Sequence, residues 1–184
     1  MWLFLASECL FFGGLIGTYL LYRDRSIDPP FAQDTVIDGV KYAGIYDIPF
    51  TSVSAFVLLM SSVSMVLALA AIQRDDRKGL QVWLFATALL GMTFLAGQAF
   101  EFTEFYHQGL TVHSSLFGTT FFVLTGFHGA HVSVGVLILL SMFVMSLRGR
   151  LTQKNSLNVE LAGLYWHFVD IVWIVIFTLV YLVR

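Results

Sequence analysis

Charge is scarce in this sequence. Asp, Glu, Lys and Arg together make up 12% of its 184 residues, where a soluble globular chain carries about a quarter. A water-soluble fold of this size could not cover its surface with so few charges. The formal net charge is -2 with no basic run, which leaves no electrostatic footprint for nucleic acid. The single cysteine, Cys9, excludes an internal disulfide, a thiolate zinc site and an iron–sulfur cluster held by this chain alone. No phosphate loop, Gly-rich dinucleotide turn or Ser–His–Asp constellation can be read along the chain. The start, Met1-Trp2-Leu3-Phe4-Leu5, lacks a basic leader, so a cleaved signal peptide is not expected. Hydrophobic residues, by contrast, fill 58% of the sequence, and Phe alone contributes 18. This is the composition of an integral membrane protein.

Lipid offers backbone polar groups no partner, so a crossing needs about 20 mostly apolar residues in a helix. Five stretches qualify, at about 2–22, 50–73, 80–107, 114–147 and 158–183. The expected fold is therefore all-α, a single membrane domain over 1–184 built as a five-helix bundle. The three prolines, Pro29, Pro30 and Pro49, fall between the first two stretches, so no span should carry a proline kink. The segment 23–49 is acidic and aperiodic and reads as an external, hairpin-like excursion. Arg74, Arg77 and Lys78, with Arg148, Arg150 and Lys154, sit in two short loops on one side. Arg23, Arg25, Lys41 and Arg184 sit on the other, diluted by aspartates. The positive-inside rule then puts the N-terminus in the cytoplasm and the C-terminus outside. Small residues four apart (Gly13 and Gly17, Ser64 and Ala68, Gly126 and Ala130) mark expected seams of close helix packing. Tyr165, Trp166, Trp173 and Tyr181 read as partly interfacial anchors and partly bundle surface.

An acid or histidine inside the bilayer is costly unless paired, so each one needs a reason to be there. Glu8, His128, His131, His167 and Asp170 fall well inside their spans. Glu101, Glu104 and His107 lie about 31 Å or more beyond Leu80, near the outer rim. Glu160 is expected in the first turn of the fifth helix, where the macrodipole favours a carboxylate. His167 and Asp170 are three apart on one helical face and are expected to pair. A haem would need His131 and His167 to face each other across two helices; a hydrogen-bonded role at a helix interface is the simpler reading. Glu101-x-x-Glu104-x-x-His107 has the spacing of a carboxylate-bridged di-iron half-site, but a second Glu-x-x-His is missing. A proton-coupled transporter would show paired repeats or broken helices, and neither is visible. On residues alone the chain has no catalytic, cofactor-binding or metal-binding site of its own.

At these same residues the sequence resembles subunit III of the haem-copper respiratory oxidases. The matching stretches begin with Ser7-Glu8-Cys9-Leu10-Phe11-Phe12 and Gln98-Ala99-Phe100-Glu101-Phe102. They continue through Gly118-Thr119-Thr120-Phe121-Phe122 and Thr125-Gly126-Phe127-His128-Gly129-Ala130-His131. Glu160 and Tyr165-Trp166-His167-Phe168-Val169-Asp170-Ile171-Val172-Trp173 resemble the closing helix. Many members have seven helices, whereas this sequence starts at what would be their third; five-helix forms are typical of bacterial oxidases. The resemblance implies an accessory subunit of a cytochrome c oxidase, with haems and copper in partner subunits I and II and none in this chain. It also implies bound phospholipid in a cleft, a role in proton or oxygen supply, a bacterial plasma membrane location, and room for a larger respiratory supercomplex. Glu8, His128 and His131 would then serve the proton or lipid cleft. Glu101, Glu104, Glu160, His167 and Asp170 would form a structural buried polar network. Subunit III of a quinol oxidase is the alternative within the family; a stand-alone di-haem or di-iron oxidoreductase is the alternative outside it.

Overall fold

The computed structural model describes residues 1–22, 35–37, 40–42, 47–111 and 116–182. Its five long helices are α1 (Trp2–Tyr22), α2 (Ile48–Gln73), α3 (Arg77–His107), α4 (Leu116–Leu147) and α5 (Ser156–Phe177). A single π-helical turn, Thr178–Leu182, continues α5. Each helix is long and apolar enough to cross a membrane. Between α1 and α2 stands a small antiparallel hairpin, β1 (Thr35–Ile37) with β2 (Val40–Tyr42), in which Val36 pairs with Lys41. The rest of the expected external excursion, 23–34, 38–39 and 43–46, lies outside the described residues.

Three helices start earlier than hydropathy alone indicates, and for α2 and α3 the reason is capping. Asp47 accepts a hydrogen bond from the Phe50 N–H at 3.2 Å, opening α2 at Ile48. Asp76 accepts one from the Gly79 N–H at 3.0 Å, opening α3 at Arg77. Short acids satisfy the orphan N–H groups of a helix start, so the helix extends past its apolar run into polar sequence. Pro49, expected between the spans, therefore sits in the first turn of α2. It causes no kink there, because a first-turn N–H has no intrahelical acceptor to lose.

Helices α2, α3 and α4 pack in chain order, α5 closes the bundle against α2 and α4, and α1 lies outside, against α4 and more slightly α5. Trp166 of α5 holds the centre. Its indole N–H donates to Ser61 Oγ on α2 at 2.9 Å. Its ring fills the space above Gly91 and Gly135, where an added Cβ would come within 2.6 and 2.8 Å of it. Those two glycines lie outside the expected pairs spaced four apart. Of the expected seams, Ser64 and Ala68 are buried, and Ser64 meets Thr87 of α3 at 2.8 Å. Gly13, Gly17 and Gly126 face open space, with nothing within 4 Å of a built Cβ. Spacing identifies a smooth helix face but cannot say whether another helix covers it. The aromatic residues of α5 also depart from expectation: Tyr165, Trp166, Trp173 and Tyr181 are all buried core, not interfacial anchors.

Candidate functional site

The polar side chains sort into separate places along the helix seams. In the first, Glu8 of α1 meets His131 of α4, with Oε2 and Nε2 3.1 Å apart. The other ring nitrogen, Nδ1, donates to the Phe127 carbonyl at 2.8 Å, because a carbonyl can only accept. A neutral ring then offers Glu8 a lone pair, and a charged ring offers an N–H. In either case the contact holds one proton between Nε2 and Oε2. The two side chains are 18% and 19% exposed, so the pair sits at an edge rather than in the core. Tyr165 fixes the same turn of α4 by donating its hydroxyl to the His131 carbonyl at 3.0 Å. Phe12 lies edge-on to the His131 ring, 5.1 Å between centroids. Beside the pair opens an apolar groove of about 780 Å³ among α1, α4 and α5, lined by Phe4, Phe127, His131, Ile138, Met142 and Tyr165 among others.

His128, grouped with this cleft from the sequence, faces elsewhere. It is fully buried, stacks on Trp173 at 4.9 Å, and has Phe94 edge-on at 6.0 Å. Neither of its ring nitrogens has a hydrogen-bond partner among the described residues. A step of three residues along α4 turns the side chain from the α1 side into the bundle interior.

The second place lies between α2 and α5. His167 and Asp170 do not bond each other directly; Ser62 of α2 links them. The Ser62 hydroxyl donates to Asp170 Oδ2 at 2.6 Å, and its oxygen lies 3.1 Å from His167 Nδ1. A Ser–His–Asp group does exist here, contrary to the reading along the chain. It is not arranged for nucleophilic catalysis, in which the acid orients the histidine and the histidine activates the serine. Here the serine O–H is committed to the acid.

The third place is at the far end of α3. Glu101 is buried and accepts a hydrogen bond from Thr51 of α2 at 2.6 Å, with the Tyr181 hydroxyl beside the same carboxylate. A cavity of about 220 Å³ adjoins it, lined by Asp47, Phe50, Phe100, Glu104 and Gln108 among others. The expected buried network does not extend to the other acids. Glu104 is exposed and takes a hydrogen bond from Gln108 at 3.1 Å. Glu160 is exposed too, and because α5 starts at Ser156 it falls in the second turn, beyond the strongest part of the dipole. His107 is exposed at the end of α3.

Ser62 and Thr51 were invisible as functional partners in the sequence. The signal available was a hydroxyl in an apolar span, which more often bonds its own helix carbonyl, as Ser61 does with Leu58. Among the described residues no group of three or more His, Cys, Asp or Glu could hold a metal ion. His131 and His167 are engaged in different seams, one against α1 and the other against α2, so they do not form an axial pair for a haem.

A family profile described as cytochrome c oxidase subunit III matches residues 1–183. The chain is 40% identical to cytochrome c oxidase subunit 3 of a Synechocystis species, over 98% of this chain and 72% of that one. It is 35% identical to cytochrome c oxidase subunit 3 of Bacillus sp. strain PS3, over 98% of this chain and 83% of that one. It is also 33% identical to quinol oxidase subunit 3 of Bacillus subtilis, over 98% of this chain and 84% of that one.

Proposed function

The chain belongs to the cytochrome c oxidase subunit III family, and from that premise we propose that it is the cofactor-free, non-catalytic subunit of its oxidase. It is subunit III of a haem-copper oxidase complex and a membrane protein. In this reading the haems and copper reside in subunits I and II, which reduce oxygen to water. This chain stabilises them from the side, in a bacterial plasma membrane, with its N-terminus in the cytoplasm. The dispersal of its acids and histidines over separate seams supports a chain without a redox centre. Cytochrome c is proposed as the electron donor. Identities of 33% to 40% to cytochrome c oxidase subunits, against 32% to 33% to quinol oxidase subunits, favour it by a small margin. A copper-binding subunit II in the purified complex would bear this out; its absence would favour quinol.

The observation that carries the reading is the Glu8–His131 pair at the edge of the 780 Å³ groove. Apolar walls suit phospholipid tails, and a proton held between two side chains at the edge suits a role in proton supply. Glu8→Gln tests it in the intact oxidase. The amide keeps the size of the side chain and a bond to His131 while removing the exchangeable acid. The expected result is a complex with all subunits and its full haem content, but lower sustained turnover. Loss of this subunit from the complex would make Glu8 structural and end the proton role.

A further inference from the structure

The seam between α2 and α5 contains a polar atom that the described residues leave unanswered. The Ser62 hydroxyl hydrogen goes to Asp170 Oδ2. The 3.1 Å contact between Ser62 Oγ and His167 Nδ1 therefore requires Nδ1–H to donate to the serine oxygen. In a neutral ring that assignment leaves the lone pair on Nε2. Nε2 makes no hydrogen bond among the described residues, and on this half-buried side chain it is not sealed inside the chain. Behind it, Asp170 is 5% exposed, and its Oδ1 has no partner. His167 is the one titratable group among the described residues that acts on this acid. The face thus has a buried carboxyl behind and a lone pair in front.

Its surroundings are apolar and uncovered. On α5, Ile171 and Ile174 are 59% and 41% exposed; on α2, Leu59 and Val66 are 38% and 54% exposed. His167 lies about 16 Å along α5 from Ser156, and Ser62 about 16 Å from the end of α2, at 1.5 Å per residue. Both positions are near mid-span, beyond the reach of lipid headgroups. Lipid tails carry no hydrogen-bond donor, and an unanswered polar atom at this depth is costly. A water-exposed surface would need no partner here, but a membrane-embedded one does.

We infer that the α2–α5 face around His167 seats a transmembrane helix of another oxidase subunit, which donates a hydroxyl or N–H hydrogen bond to His167 Nε2. The seat is polar at one point and greasy around it, so Ile171, Ile174, Leu59 and Val66 supply packing while Nε2 sets the register. A partner helix with Ser, Thr, Tyr, Trp, Asn or Gln at that depth fits. The inference rests on the reading of this chain as one subunit of a multi-subunit oxidase, and the test separates the two.

A photo-reactive phenylalanine analogue is placed at Ile171 in the intact oxidase, with the same probe at Leu137 on α4, 66% exposed, as the control face. Illumination is expected to join Ile171, but not Leu137, to another subunit. Adducts from Ile171 to lipid alone, or to a second copy of this chain, overturn the inference. His167→Asn is the second arm. Its amide can replace Nδ1–H toward Ser62 but has nothing at the Nε2 position. Detergent washing of the oxidase is expected to strip this variant about threefold more readily, the scale of one interhelical hydrogen bond in a membrane. Retention equal to the unsubstituted chain overturns the inference. If the unsubstituted chain fails to co-purify with any haem-bearing subunit, the subunit reading itself fails, and the inference with it.

Discussion

Helices α1 and α5 are similar in length and both apolar, yet they are held in opposite ways. In α1, 17% of the most apolar window is buried inside the protein; in the span that contains α5 the share is 50%. The residues α1 buries, Leu5, Phe12 and Tyr19, fall a heptad apart on one narrow stripe. The residues α5 buries cover several faces and include both tryptophans, Trp166 and Trp173. Hydropathy measures affinity for the membrane and is blind to this contrast. A residue facing lipid and a residue facing another helix are equally apolar, so what distinguishes the two helices is shape and polar pairing. The acid of α5, Asp170, is linked into a packed seam through Ser62. The acid of α1, Glu8, meets its histidine at the open edge of a groove. We take α5 as the keystone of the bundle and α1 as an outer wall laid against it.

The strongest way to break this contrast is at the glycines. Gly135→Leu would drive a side chain into the Trp166 ring, since even a Cβ would stand 2.8 Å from it. Overpacking of this kind costs about 1–3 kcal/mol or more, so a lower unfolding temperature and poor yield are expected. Gly13→Leu on α1 meets nothing within 4 Å of its Cβ and should leave both unchanged. If the two variants behaved alike, the contrast between the helices would be false.

Asp170→Leu comes next. It removes the acceptor of the Ser62 hydroxyl while leaving His167 its contact with Ser62. Losing one partner of a buried polar group costs about 1–3 kcal/mol, so the yield of assembled complex should fall; a normal yield would show the link to be unimportant. Ser62→Ala sharpens the same point, because it unlinks both partners at once and should cost at least as much as Asp170→Leu. The smallest effect is expected on the α1 side. Glu8→Gln should change the thermal stability of the complex by no more than about 0.5 kcal/mol, as for a substitution that keeps size and hydrogen bonding near a surface.

The sequence disclosed the helices and concealed much of their contact pattern. Long apolar runs locate crossings well because the bilayer demands them. Their ends shifted wherever Asp47 and Asp76 could cap a helix, a local signal that hydropathy averages away. The expected pairing of His167 with Asp170 found the right two residues but missed Ser62, which lies 105 and 108 positions away in the chain. No spacing rule spans that distance; only the fold of α5 back onto α2 creates the group. Glu104 and Glu160 were placed by depth along their helices, which says nothing of the face on which a side chain lies. Each lies on an exposed face of its helix. His128 and His131 show the same effect in miniature, since three residues on a helix separate the core from the groove.

The central claim is that the oxidase keeps its redox chemistry elsewhere and uses this chain as polar-studded scaffolding. The direct measurement is haem, iron and copper content of the purified oxidase before and after this subunit is dissociated, with the same analysis on the released fraction. The account predicts that haem and copper stay with the remaining subunits in unchanged ratio and that the released chain carries neither. A stoichiometric share of haem, iron or copper travelling with the released chain would contradict it.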